Sequence, residues 1–276
     1  MSFFNAILNT IFDGYFGLAG MLGGDAALWI ISALAGVVLL LIFKITSNQK
    51  AIKRTKERIS ASFLEVRLFK DDMSQMMSAQ GRIFGSAFRY MGHAMAPMLW
   101  MIVPVLLLLI QMNLWYGYEP LDEGDSALVV ARIEGSEPLV DMPLRLETDE
   151  GLTVDTPPLR IEALREVNWR VRAETPGSHT IRLVWGDGKD EAVTQTVQVD
   201  GAFIKIEPIR ARGAWEELWN PGAVPLPSPG PVSFLEVTYS EAEVNLFGFR
   251  MHWVIAFFIL SLVFGFAFKG VFGVEI

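Results

Sequence analysis

The chain has 276 residues, 51% of them hydrophobic, a mean hydropathy of +0.35, no cysteine and a formal net charge of −8. The absence of cysteine excludes disulfides and thiolate metal sites. The basic residues interleave with acids and lack an aromatic platform, so nothing argues for a nucleic-acid partner.

Residues 1–25 open with MSFFNAILNTIFDGYFGLAGML. Phe3, Phe4, Ile7, Leu8, Ile11, Phe12, Tyr15 and Phe16 recur at helical spacing, with Asn5, Asn9 and Asp13 on the other side. The pattern predicts an amphipathic helix lying in the outer membrane interface, with a disordered tail as the competing account. Gly23-Gly24-Asp25 breaks that helix, and Asp25 is expected to cap the next one.

Three apolar blocks follow: residues 26–45, residues 94–115, and His252–Phe268 within segment 251–276. Each is near the ~20 apolar residues a helix needs to cross ~30 Å of hydrocarbon, so three transmembrane helices are expected. The first block does not fit a cleaved signal peptide, because Asp13 and Asp25 precede it and the basic residues follow it. In that block Trp29 suits the outer interface, Ala33 and Gly36 offer a small surface for another helix, and Ser32 is a lone polar side chain. The second block contains Pro97 and Pro104, each expected to kink it, and ends in the aromatic belt Trp115, Tyr116 and Tyr118.

Residues 46–93 read as a basic helical hairpin with a break at Asp71-Asp72, then a methionine-rich run. Eight of the twelve methionines lie between Met73 and Met112. Unbranched thioethers suit a surface that accepts varied apolar partners, although plain helix packing also explains them. Charge sets the expected orientation. Between Lys44 and His93 there are ten Lys/Arg against four acids; between Tyr116 and Met251 there are twelve against twenty-four. The positive-inside rule therefore places residues 46–93 and the C-terminus in the cytoplasm, and the N-terminus and residues 116–250 outside. The expected location is the inner membrane of the cell, as a multi-pass protein in contact with the lipid bilayer.

Residues 116–250 carry short alternating runs at Ala127–Glu134, Pro143–Thr148, Val167–Glu174, His179–Trp185, Val193–Asp200, Phe203–Glu207 and Val232–Tyr239. Turn signals such as Pro176-Gly177 and Gly186-Asp187-Gly188 separate them. About seven short strands at this spacing predict an all-β, immunoglobulin-like sandwich. Five prolines in Asn220–Pro231 mark an extended loop. Trp215 and Trp219 before it either pack inward or rest on the bilayer interface.

The three histidines lie in three different segments, and no pair has metal-ligand spacing. There is no nucleophile elbow, phosphate loop or HExxH motif, so neither catalysis nor a cofactor or metal is expected. Polar groups near a membrane bundle are expensive and so become the candidates for function. These are Ser32, Gln111, Asn113 and Ser261, with Arg82, Arg89 and His93 at the cytoplasmic mouth of an expected polar groove. Interfacial placement of Gln111 and Asn113, and snorkelling of Arg89, are the simpler accounts.

The hairpin in Lys53–Asp72, the methionine-rich Met73–Gln80, Ala96-Pro97-Met98-Leu99 and Val103-Pro104 occur in an order that resembles the YidC/Oxa superfamily of membrane-protein insertases. The layout is most similar to its three-helix branch, the archaeal YidC-like proteins and the insertase subunit of the ER membrane complex. The resemblance covers about Leu28–Leu114, and Val254–Phe268 by order. It implies a cytoplasm-facing groove that eases entry of nascent or client membrane proteins into the bilayer. Met73, Met76 and Met77 would then meet the client, with Met91 and Met95 continuing the run, and Arg82 or Arg89 would guard the groove. The alternative is a non-catalytic scaffold whose outer β domain binds a protein partner.

Overall fold

The computed structural model describes residues 2–68, 73–186, 192–201, 203–220, 222, 225–228 and 230–275. Within its helices the side chains of residues 2–4, 65–68, 73, 75, 76, 93, 94, 96, 214, 217 and 218 are not among those described. In chain order the elements are α1 (Ser2–Ala19), α2 (Gly24–Thr46), α3 (Gln49–Leu68), α4 (Met73–Tyr116), β1 (Ser126–Ile133), β2 (Arg145–Thr148), β3 (Leu152–Val154), β4 (Leu159–Ile161), β5 (Glu166–Ala173), β6 (Gly177–Val184), β7 (Ala192–Val199), β8 (Ile209–Ala211), α5 (Ala214–Trp219), β9 (Val232–Val237), β10 (Glu243–Leu246), β11 (Phe249–His252) and α6 (Trp253–Phe272). They form two compact units, one of Leu28–Leu108 with Val254–Ile276, the other of Met1–Ala27 with Leu109–Trp253. Gly24–Thr46, Pro97–Tyr116 and Trp253–Phe272 are long and apolar enough to cross a membrane.

In the first unit α2 and α6 meet through small residues. A Cβ on Gly36 would collide with the backbone oxygen of Ser261, and Gly265 lies beside it. Close backbone approach of this kind is how helices gain contact in lipid, where burial of apolar surface gives no drive. The Lys44 ammonium donates to the Phe272 carbonyl at the end of α6 (2.6 Å), where a cation also opposes the helix dipole. Beyond α6 the chain returns to the start of α3. The Glu275 amide donates to Gln49 Oε1 (2.7 Å), and the Glu275 carboxylate pairs with Lys56 (3.6 Å). Thr55 and Ser62 are buried on α3 with Ile52, so this arm has little apolar core of its own.

α4 is one helix of 44 residues. The methionine-rich run and the second apolar block, separable in sequence, join because Met, Ala, Gln and Leu favour helix and no turn residue divides them. Pro97 and Pro104 lie inside it. The break expected at Asp71-Asp72 lies outside the described residues. At the other break, Gly23 has φ +99°, and its carbonyl accepts from the Ala27 amide. Gly23 therefore takes the place expected for Asp25, which sits in the first turn of α2.

The second unit is built on two antiparallel sheets, β3-β5-β1-β9-β8 with β4 beside β5, and β2-β6-β7. Alternation drives both. In β5, Val167, Trp169, Val171 and Ala173 are buried while Arg170 and Arg172 are exposed. Val129, Trp169 and Leu235 of one sheet share a core with Ile181, Leu183 and Val197 of the other. Five predicted strands appear close to their expected bounds, as does β9. The run Phe203–Glu207 does not form a strand. Pro208 lacks a donor, and the Ile206 amide bonds instead to the Leu114 carbonyl of α4 (2.8 Å). β8 follows at Ile209. The three-residue strands β3 and β4 are too short to show alternation. The hairpin β10–β11 extends the β region to His252, two residues past the expected boundary. Its two-residue turn holds Phe247 at φ +54° and Gly248 at φ +90°, the conformation of a type I′ turn.

Two outcomes follow from this packing. Replacing Gly36 with leucine is expected to destabilise the α2–α6 contact by about 1–3 kcal/mol, as overpacking does. Thermal unfolding of the purified protein reads this, and an unchanged midpoint would contradict it. Tyr239 receives the Gln198 amide on its hydroxyl (3.1 Å). Burial pushes its pKa up to about 12, against the smaller opposing effect of that bond. Stability from the neutral phenol is complete below pH 10 and declines as the pH rises through 12. The expected loss is about 2–3 kcal/mol. Tyr239→Phe is expected to flatten that part of the stability profile, measured as denaturation midpoints from pH 9 to 12.

Candidate functional site

The exposed face of α4 carries an ordered apolar stripe. Met77, Phe84, Phe88, Met91, Met95, Met98 and Ile102 follow one another at intervals of seven, four, three, four, three and four. This is the spacing of a coiled-coil seam, with Gly81 at the skipped position. Each side chain is between 48% and 70% exposed. Met77, Met91 and Met95 thus stand where the methionine reading placed them, on one surface. Met73 and Met76 are in α4, but their side chains lie outside those described. Phe84 and Phe88 are equal members that a search for methionine alone passes over; the three-and-four spacing is the signal that finds them.

The seam leads to a cavity. A space of about 380 Å³ opens between α2, α4 and α6, lined by Gly36, Phe43, Met98, Met101, Ser261 and Gly265 among others. Met98 belongs to both features. The walls are almost wholly apolar, and the one hydroxyl, Ser261 Oγ, donates to the Phe258 carbonyl (3.1 Å). Ser32 is fully buried, and its hydroxyl has no hydrogen-bond partner among the described residues.

The other groups expected in one polar groove have separate settings. Arg82 and Arg89 line a cleft between α3 and α4. The His93 side chain lies outside those described. Gln111 and Asn113 belong to the second unit. There Gln111 is 1% exposed, and its Nε2 donates to Asn9 Oδ1 of α1 (2.9 Å). Asn113 is half-buried one turn from Gly117.

That bond belongs to a larger junction at the outer end of α4. Phe16 is buried, stacked on Trp115 (centroids 4.9 Å), with its edge toward Tyr116 and Phe203 (5.8 Å each). The Tyr116 hydroxyl donates to the Gly24 carbonyl (2.7 Å). Lys205 pairs with Asp13 (3.1 Å) and Glu207 (3.0 Å). The polar side of α1 therefore faces protein: Asn5 is buried, Asn9 meets Gln111 and Asp13 meets Lys205. Ile7, Ile11 and Leu18 are exposed. A helix floating on the interface would show the reverse, with its polar side in water.

No group of three or more metal-ligating side chains occurs among the described residues. His179 is held by Asp149 (3.1 Å) and the Thr175 carbonyl (2.7 Å), where it supports the β2–β6 edge. Compared with protein-family models, with curated proteins and with solved structures, the chain finds no match.

The junction makes a direct prediction. Phe203→Ala is expected to lower stability by about 2–4 kcal/mol, because it removes one wall of the aromatic cluster. Gly24→Leu should act in the same direction, since a Cβ there would sit 2.8 Å from the Phe203 ring. Thermal unfolding of both variants checks this; wild-type midpoints in both would contradict it.

Proposed function

We propose that this is a non-catalytic, multi-pass membrane protein that receives apolar helical segments of other membrane proteins and eases their entry into the bilayer. One observation carries it: the seam on α4 is exposed below the apolar span and runs into the cavity at Met98. Lipid covers such a stripe only within the membrane. Phe88 lies nine residues before Pro97, about 13 Å along a helix, and Phe84 and Met77 lie further out. An apolar helix with its own three-and-four spacing fits this surface, as in helix-in-groove recognition.

The energetics suit a transient hold. Covering the half-exposed seam gains roughly 10 kcal/mol, and association costs ~4–15 kcal/mol, so the complex is weak and reversible. A client segment would leave it when lipid offers better burial. The order of the helices, similar to that of the YidC/Oxa superfamily, supports the same role. The apolar cavity suits the client's hydrocarbon surface better than its polar tail, which departs from the polar groove that the resemblance implies.

The charge distribution supports an outside N-terminus and a cytoplasmic C-terminus. The sheet connectivity supports an immunoglobulin-like arrangement of the outer domain, with β1, β3 and β5 in one sheet, β2, β6 and β7 in the other, and β9 beside β1. A scaffold role for that domain is the second reading. It is favoured by the exposed Trp215, Trp219, Phe247 and Phe249.

In proteoliposomes, insertion of a short single-span protein is expected to fall several-fold in the Phe84→Asp/Phe88→Asp variant. Phe63→Asp, at an exposed apolar position on α3, should leave it unchanged. Equal insertion by all three proteins, with a smaller oligomer for the double variant, would favour the scaffold.

A further inference from the structure

Three arginines converge where the client-uptake proposal gives them no work. Arg58 of α3 and Arg82 and Arg89 of α4 line one cleft of about 440 Å³, together with Ser62, Gly85 and Ser86. No acid lines it. α4 has no acidic residue along its whole length, and Glu57 and Glu65 are the two acids of α3. Arg82 is already oriented, with Nη1 donating to Ser78 Oγ (2.8 Å). Gly85 leaves the floor of the cleft bare, since a Cβ there would meet nothing within 4 Å. Glycine in a helix interior costs about 1 kcal/mol relative to alanine, so this bareness is maintained against helix propensity.

We infer that the cleft between α3 and α4 binds a phosphate group carried by a larger molecule. Three guanidinium forks and two hydroxyls present more donors than the two oxygens of a carboxylate can accept. A phosphate, with its additional oxygens, uses them, and bidentate Arg–phosphate pairs are among the strong charge-assisted contacts. The volume exceeds what a bare phosphate fills and lies within the range of ~300–1,000 Å³ typical of small-molecule sites. Bringing three like charges together is unfavourable until an anion neutralises them.

Depth defines two sources for that phosphate. Arg89 lies eight residues before Pro97, about 12 Å along the helix, and Arg82 about 22 Å. The head-group layer extends roughly 5–8 Å beyond the hydrocarbon. Arg89 thus comes within a side chain's length of lipid head groups, whereas Arg82 reaches past them into water. The group is either an anionic head group or a soluble phosphate compound, and the inference does not depend on client uptake.

The test is arginine footprinting with phenylglyoxal on the full chain at physiological salt, with modified sites mapped by mass spectrometry. One arm uses nanodiscs of phosphatidylcholine with added inorganic pyrophosphate. The other uses nanodiscs containing one-fifth phosphatidylglycerol and no pyrophosphate. Selective protection of Arg58, Arg82 and Arg89 over Arg54, an arginine of the same arm outside the cleft, is expected in one arm and names the source. In that arm Arg82→Gln should weaken protection of the other two about tenfold in ligand concentration. Gly85→Phe, which fills the cleft and leaves the charges in place, should do the same. No protection in either arm, equal protection of Arg54, or full protection in the Gly85→Phe variant would overturn the inference.

Discussion

A helix in hydrocarbon must satisfy its backbone within itself, and that requirement shapes α4 more than any single side-chain contact. Once Pro97–Tyr116 is helical for that reason, the residues before it extend an existing helix and avoid the unfavourable step of nucleation. Met73–Ala96 are thereby helical too, and their side chains fall into register with those of the membrane segment. The seam from Met77 to Ile102 is a product of this continuity. In a separate, loop-joined segment the same residues would have no fixed relation to Met98 or to the cavity it lines. Pro97 and Pro104 lie inside the run, where each removes one backbone donor.

At the outer end of α4, in the other unit, polar groups are disposed by the same scarcity of water. Gln111 lies within the apolar span, and α1 brings Asn9 to it (2.9 Å). Lys205 likewise takes its carboxylate from Asp13 (3.1 Å). The aromatic cluster around Phe16 closes over these pairs and ties the β domain to the membrane-proximal helix ends through Phe203 and Ile206. α1 is thus a structural strut whose apolar side is left for lipid.

Apolar length and alternation made the three candidate spans and the long strands readable, because both are properties of contiguous sequence. Val167, Trp169 and Val171 announce β5 on their own. β3 and β4 contain three residues each, below the length at which period two can be recognised, and β10–β11 turns on Phe247, a residue type that gives no turn signal. Phe203–Glu207 alternates like a strand but spends its backbone on α4, a partner about ninety residues away in sequence. The polar candidates were identified by type, and type does not fix company. Arg82 and Arg89 share a cleft, Ser261 faces an apolar cavity, and Gln111 answers to Asn9. The seam itself was present in the spacing, hidden because methionine and phenylalanine were weighed as separate classes.

The claim that α4 receives client helices is tested most directly by site-specific photocrosslinking from Phe88 during synthesis of a short single-span membrane protein. Phe88 is 70% exposed and lies below the apolar span, where lipid does not reach it. The account predicts crosslinks to the nascent chain that fade once the client is released into the bilayer. Crosslinks confined to a second copy of this chain, or to one stable partner present before and after synthesis, would contradict it.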